Sequence, residues 1–369
     1  MTDFSPADHR YMARALQLAA KGMTTAHPNP RVGCVLVRDG EIVGEGWHRA
    51  AGEAHAEVNA IRDAGGAAAG AVAYVTLEPC AHTGRTPPCV NALIKADLAE
   101  VVFAHEDPSS RAPRSGRALL EAAGIRVRAG LKRTEARRLN RGFFSRIERG
   151  RPFVRVKIAA SLDGGTAMRS GESRWITDEA ARRDVQRLRA TSGAILTGVG
   201  TVLADNPSLD VRDAPQVLKQ PLRVILDSRL RTPPGARILG LPGATAIFCA
   251  DDTGRAALDR PGISIHAVAG EEGRVDLPGM LSKLGELAIN DVLVEAGPVL
   301  SGAFLLARLA DELVIYQAPH IMGSETRRMF DTPGMAALAD RQAFEVVDVR
   351  RTGACLRVTA LPAAGEQWQ

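Results

Sequence analysis

Three residues suited to binding zinc, and one suited to carrying protons, fall close together near the N-terminus. His55-Ala56-Glu57 opens a helical pattern, Pro79-Cys80 follows a β-rich run, and Cys89 comes nine residues later at the head of another helical segment. One imidazole and two thiolates make three protein ligands. That count leaves the fourth position of a tetrahedral zinc open for water, as a catalytic site needs. The metal lowers the pKa of such a water toward about 7. Glu57, two residues past His55, is placed to shuttle protons without ligating. Zinc-dependent base deaminases carry this logic as H-x-E…P-C-x-x-C. His55, Glu57, Pro79 and Cys80 match it, but here eight residues separate the two cysteines. Two other readings stay open. Each residue alone is as well explained by core packing, since free Cys is often buried. A structural zinc would want a fourth ligand, and His82 lies between the cysteines to supply it.

The stretch between the cysteines, AHTGRTP, is rich in Gly, Thr, Pro and basic groups. Arg85 and Thr86 are candidates there to hold a phosphate on a substrate. Upstream, His27-Pro28-Asn29-Pro30 is a rigid turn, in which Asn29 either hydrogen-bonds a ring edge or simply makes the turn. His48 and Glu53 fall in the loop before His55, as substrate contacts or as solvated loop residues.

These residues need elements to position them. Ser5 caps a first helix, Pro6 fits its first turn and Asp8 stands three residues past the cap. Tyr11, Met12, Ala15, Leu16 and Ala19 line one face, and Gly22 ends it. GCVLVRDGEIVGEGW reads as a hairpin turning at Asp39-Gly40. HAEVNAIRDAGG is a helix, AVAYVTL a strand that delivers the chain to Cys80, PCVNALIKA a short helix and AEVVFAHED a buried strand. SGRALLEAAG and IRVRAG add another helix–strand pair. A boundary falls near residue 150, in the polar and basic segment TEARRLNRGFFSRIERGRP. Beyond it strands and helices alternate again, from PFVRVKIAAS through GAILTG, LRVILDS, ATAIFCA, ISIHAVAG and DVLVEAG to ELVIYQA. Such alternation implies α/β architecture in both halves, with domains at 1–148 and 149–369.

The second half carries a weaker chemical signal. Gly198-Val199-Gly200 lacks the third glycine of the dinucleotide fingerprint, so a Rossmann-type domain is not indicated. In VEAGPVLSGAF a strand ends at Gly297-Pro298 where a helix begins, and such a helix start favours a phosphate; an ordinary strand-to-helix turn explains it equally well. Lys157 alternates within a strand, facing either inward or solvent. Asp205-Asn206-Pro207 is a loop that either contacts a ligand or makes a turn. Trp175 packs on a nicotinamide or on the core. Arg182, Arg183, Arg187 and Arg189 lie on one helix, mostly solvated, with one able to reach a phosphate.

Composition narrows the function classes. Hydrophobic residues make up 45% and charged residues 24% of 369, enough for two real cores. Only 4% is aromatic, which speaks against a surface stacking many bases in succession. The net charge of +5 suits anionic small molecules or a solvated surface. Five scattered cysteines do not form a disulfide framework, and Cys34, Cys249 and Cys355 read as core. No run approaches a membrane span, and MTDFSPADHR lacks a secretory pattern. The expectation is a cytoplasmic protein with reduced thiols.

At HPNPRVGCVLV, GEAHAEVNA and TLEPCAHTGRTPPC the chain resembles the bacterial bifunctional riboflavin-biosynthesis deaminase–reductases, which share the wide cysteine spacing. The resemblance continues through KIAASLDGGTA, SGESRWIT, ARRDVQRLRA, GVGTVLADNPSL and LVEAGP, nearly the whole chain. It implies an N-terminal cytidine deaminase-like three-layer sandwich and a C-terminal dihydrofolate reductase-like domain. The first would hydrolyse the 2-amino group of 2,5-diamino-6-ribosylamino-4(3H)-pyrimidinone 5′-phosphate; the second would use NADPH to reduce the ribosyl unit to a ribityl chain. By resemblance His55, Cys80 and Cys89 hold zinc and Glu57 is the proton shuttle. Ala159, Trp175, Thr201, Asp205 and Gly297 fall at cofactor positions; Ser173, Arg189, Leu209, Arg212 and Glu295 fall at substrate positions. A homodimer through the reductase domain is expected, with neither nucleic acid nor membrane as partner. A tRNA-editing type of deaminase and a non-catalytic zinc module are the alternatives. The second domain, with no basic cluster interleaved with aromatics, speaks against the first.

Overall fold

The computed structural model describes residues 4–83, 87–109, 115–212, 214 and 217–363. The chain divides into two compact units, Met1–Gly150 and Arg151–Gln369.

The first unit contains strands β1 (Gly33–Arg38), β2 (Glu41–Trp47), β3 (Val72–Val75), β4 (Glu100–Phe103) and β5 (Arg126–Ala129). Its helices are α1 (Pro6–Ala20), α2 (Ala56–Ala64), α3 (Cys89–Lys95), α4 (Gly116–Ala122), α5 (Arg133–Leu139) and α6 (Arg141–Arg149). The sheet order is β2-β1-β3-β4-β5. β1 is antiparallel to both neighbours, while β3, β4 and β5 run parallel. Asp39 and Gly40 take φ of 52° and 82°, so the β1–β2 hairpin turns where the sequence places it. Ser5 and Asp8 form a full capping box on α1: Ser5 Oγ accepts from the Asp8 N–H at 3.2 Å and Asp8 Oδ2 from the Ser5 N–H at 2.8 Å.

Successive strand residues face opposite layers. Cys34, Leu36, Val75, Val101 and Phe103 share a core with α2, α3 and α4 through Ala60, Leu93 and Leu120. Val35, Tyr74 and Val102 share the other with α1 and α5 through Met12, Leu18 and Ala136. Helices therefore cover both faces, giving the expected three-layer sandwich. The basic segment near residue 150 is helical where the sequence suggested only a boundary. Its charges mask an apolar face: Phe143, Phe144 and Ile147 pack with Leu77 and Val32.

One contact fixes the height of α2. A Cβ on Gly46 would lie 2.2 Å from the Ala56 carbonyl oxygen, and one on Gly44 2.4 Å from that of Ala60. The helix thus rests directly on the β2 backbone, and only glycine permits that approach.

The second unit holds β6 (Phe153–Ser161), β7 (Ala194–Gly198), β8 (Leu222–Leu226), β9 (Thr245–Cys249), β10 (Ile263–Ala267), β11 (Asp291–Val294), β12 (Glu312–Ala318), β13 (Phe344–Thr352) and β14 (Cys355–Pro362). Its order is β10-β9-β8-β7-β11-β6-β12-β14-β13. All neighbours from β10 to β12 are parallel, and the closing β13–β14 hairpin is antiparallel. The sequence pattern alone does not single out that hairpin: β13 has no buried residue among Phe344–Thr352, so its apolar alternation is faint. Helices α7 (Glu179–Ala190), α8 (Val199–Asp205) and α9 (Arg237–Gly240) cover one face; α10 (Leu277–Glu286) and α11 (Pro298–Leu306) cover the other. The carboxyl ends of β7, β11, β6 and β12 share one edge, where α/β sheets place their ligands. Cys34, Cys249 and Cys355 are buried, free core residues.

Candidate active sites

In the first unit three elements converge. His55 is the residue that caps α2, Cys89 is the first residue of α3, and Cys80 ends the turn that follows β3. His55 Nδ1 lies 2.9 Å from Cys89 Sγ and 3.5 Å from Cys80 Sγ, and the two sulfurs are 3.2 Å apart. Both cysteines are free thiols. One ligand atom from each residue falls within 4.8 Å of the others. Such a donor set fits zinc. His82 is exposed and stands outside the group, so among the described residues no fourth ligand supports a structural site.

The electrostatics agree with a site built for a cation. The hydrogen bond between the two sulfurs, ahead of the His55 contribution, holds Cys80 down to about 4, against the upward push of burial. The same hydrogen bond, then burial, pushes Cys89 up, so the pair gives up its first proton easily. Glu57 sits in the first turn of α2 and is 3% exposed. Burial and then the charge of Cys80 raise its pKa. Its Oε2 is buried without a hydrogen-bond partner, so that oxygen has accepting capacity to spare beside the cluster.

Asn29 and His48 meet beside this cluster. His48 Nδ1 lies 3.2 Å from the Ala54 carbonyl, so that nitrogen donates; Nε2 then accepts from Asn29 Nδ2 at 3.0 Å. The His48 ring stands edge-on to His55, with centroids 5.2 Å apart. Glu53 is exposed, and Arg85 and Thr86 lie outside the described residues. Sequence reasoning missed Asn59, whose amide donates to the Trp47 and Ala54 carbonyls at 2.9 and 3.3 Å and pins the start of α2. A polar residue inside a helical pattern gives no signal of that task.

In the second unit a buried charge cluster occupies the carboxyl edge. Arg189, at the end of α7, grips Glu295, just past β11, and Lys157 on β6 approaches it to 3.4 Å. Against the upward push of burial, Arg189 and then Lys157 hold Glu295 down to about 2. Lys157 therefore faces inward. Arg189 also donates to the Asp210 carbonyl at 2.9 Å, which leaves its fork little capacity for a phosphate. Leu209 is buried with φ of 48°, and Arg212 is exposed, its N–H donating to Gln186 at 3.0 Å. Arg174 donates to the Asp205 carbonyl, drawing the loop that carries Ser173 and Trp175 toward the end of α8. Trp175 is not core: it is 69% exposed, with the Arg182 guanidinium 4.5 Å from its ring. Ala159 lies near the end of β6 and Thr201 in the first turn of α8. A Cβ on Gly200 or Gly297, at the starts of α8 and α11, would meet nothing within 4 Å. An exposed aromatic, two helix starts and open backbone fit a dinucleotide laid along this edge.

Fold and sites together define a zinc-type amine hydrolase joined to a pyridine-nucleotide reductase. Residues 5–105 match the cytidine and deoxycytidylate deaminase zinc-binding region, and residues 152–356 match the RibD C-terminal domain. The riboflavin biosynthesis protein RibD of Escherichia coli (strain K12) is 48% identical, covering 94% of this chain and 97% of its own length. The solved structure of Acinetobacter baumannii RibD, form 1, superposes with a TM-score of 0.89 at 43% identity, over 97% of this chain and 99% of that one. That of a Thermotoga maritima diaminohydroxyphosphoribosylaminopyrimidine deaminase/5-amino-6-(5-phosphoribosylamino)uracil reductase gives 0.85 at 32% identity, with the same coverage of 97% and 99%. The chain belongs to the RibD family. It is a bifunctional riboflavin-biosynthesis enzyme, with a zinc-binding deaminase domain and an NADPH-using reductase domain.

Proposed function

We propose that residues 1–148 deaminate the diaminopyrimidinone ribosyl phosphate and that residues 149–369 then reduce the ribosyl group of the product. The observation that carries the first half is the buried Glu57 carboxyl, its Oε2 without a hydrogen-bond partner, beside a three-ligand cluster. His55, Cys80 and Cys89 would hold zinc, which supplies Lewis acidity toward an oxygen when bound. Glu57 takes a proton from the attacking water and returns it to the departing amine, so that ammonia leaves and a carbonyl remains. A carboxyl whose pKa is raised suits both transfers. Asn29, its amide held by His48, presents its remaining oxygen to a ring N–H or amino group. Arg85 is the candidate partner for the substrate phosphate.

In the second half, Ala159, Trp175, Thr201, Asp205 and Gly297 would hold NADPH, which supplies the hydride. Ser173, Leu209, Arg212, Arg189 and Glu295 would contact or frame the ribosyl substrate. Glu295 stays ionised at neutral pH, so it orients hydroxyl groups by accepting from them and does not act as an acid. Among the described residues no helix is long and apolar enough to cross a membrane. We read the enzyme as cytoplasmic and homodimeric, acting on a small phosphorylated pyrimidine and not on nucleic acid.

The test incubates zinc-loaded protein with the diaminopyrimidinone ribosyl phosphate, with and without NADPH. Ammonia release without NADPH, followed by NADPH oxidation only after deamination, is the expected result. NADPH that is never consumed would overturn the reading of the second unit.

A further inference from the structure

We propose that Glu78, together with Gly116, sets the position of Cys80, which makes Glu78 a positioning residue of the metal cluster. The proposal rests on the reading of Cys80 as a zinc ligand. Glu78 precedes Cys80 by two residues and is 4% exposed. Among the described residues no cation pairs with it. Both of its carboxyl oxygens instead accept backbone N–H groups, Oε1 from Arg117 at 3.0 Å and Oε2 from Asp107 at 3.2 Å. Its own N–H donates to the His105 carbonyl at 2.8 Å. A single side chain therefore ties the backbone ahead of Cys80 to the loop after β4 and to the first turn of α4.

Gly116 completes the seat. A Cβ there would lie 1.8 Å from the Pro79 carbonyl oxygen, so Pro79 is pressed flat on the start of α4. Glu78 and Pro79 are thus both anchored, and Cys80 follows directly from them. Its sulfur reaches His55 Nδ1 at 3.5 Å and receives the Cys89 N–H at 3.3 Å. Cys80 comes from a turn, whereas His55 and Cys89 are fixed by helices, so it is the ligand most in need of such support. Glutamine cannot replace Glu78 here. It offers one accepting oxygen, and its amide NH2 would face a backbone N–H, donor against donor. Metal sites demand ligand positions good to a few tenths of an ångström, so a small shift of Pro79-Cys80 is felt as lost affinity.

The experiment prepares Glu78→Gln and Gly116→Ala in the full chain, strips the metal, and titrates Zn2+ against a chelator and Co2+ spectroscopically. Zinc affinity should fall by about 10-fold or more, the range seen when groups that orient metal ligands are lost. The thiolate-to-cobalt charge-transfer absorption should weaken or shift in both variants. Glu121→Gln, which removes an exposed partner of the Arg117 side chain on the same helix, should change neither. A folded Glu78→Gln protein with wild-type affinity and spectrum overturns the proposal. So does a lowered Tm with an unchanged cobalt spectrum, because Glu78 would then serve only the fold. If Glu78→Gln fails to fold, Gly116→Ala decides by the same criteria. A wild-type protein that shows no thiolate–cobalt bands sinks the ligand reading itself, an outcome distinct from the others.

Discussion

The guanidinium of Arg189 clamps Glu295 at both oxygens, Nε to Oε1 at 2.6 Å and Nη2 to Oε2 at 3.1 Å. Both side chains are about nine-tenths buried, at 11% and 9% exposure. Removing the guanidinium leaves the buried Glu295 with Lys157, at 3.4 Å, as its remaining countercharge, and costs the buried pair its better-matched partner. Arg189→Ala should therefore destabilise the second unit by about 3 kcal/mol, read from urea unfolding. Arg189→Lys should recover only part of that, because an ammonium cannot reproduce the fork.

The same clamp gives a pH dependence with a definite sign. Glu295 titrates near 4.5 when unpaired and at about 2 in the folded protein. A depressed carboxyl pKa contributes stability that is fully present above the unfolded value and lost as pH falls through the folded one. Stability of the second unit should therefore decline between about pH 4.5 and pH 2. Glu295→Gln should flatten that decline in unfolding curves taken across the range.

Glu57→Gln keeps the size of the side chain and removes its ability to hold and return a proton. Ammonia release should drop by about 100-fold to 10,000-fold, the usual worth of a positioned acid–base group. Zinc content should stay at the wild-type level, and reduction of a supplied deaminated substrate should be unchanged. Retained ammonia release would remove Glu57 from the proton-transfer role.

Metal removal should separate the two activities. A strong chelator should abolish ammonia release while NADPH oxidation on the deaminated substrate continues. His55→Ala should act the same way without chelator. Loss of both activities together would tie the reductase to the metal and overturn the separation of the two chemistries.

Trp175 offers the matching probe on the other unit. Its ring stands free of the core beneath Arg182. Trp175→Ala should raise KM for NADPH by about 10-fold, equal to the ~1.4 kcal/mol that a stacked aromatic contact supplies. Ammonia release should not change.

Much of this site is legible in the sequence. His55, Cys80 and Cys89 declare themselves through residue type and element junctions, and the Ser5–Asp8 capping box through spacing of the polar side chains alone. Other features leave no local trace. The pairing of Arg189 with Glu295 spans a hundred residues, so four arginines on one helix look alike until the sheet brings β11 beside β6 and β7. The core status of Phe143 and Phe144 was hidden by the arginines and glutamate around them. Trp175 could be assigned to core or to ligand from sequence, and only its exposure decides between them.

The bare backbone of β2 beneath α2 has a further meaning for how this enzyme can vary. His55 and Glu57 ride on that helix, while Cys80 and Cys89 hang from other elements. Gly44 and Gly46 act as a datum surface from which the depth of the first pair is measured. A single added methyl group at either glycine would lift the imidazole and the carboxyl away from the thiols, mistuning the metal corner from the far side of a helix. Replacements at these two strand positions are thereby closed to the chain, though neither glycine belongs to the metal cluster.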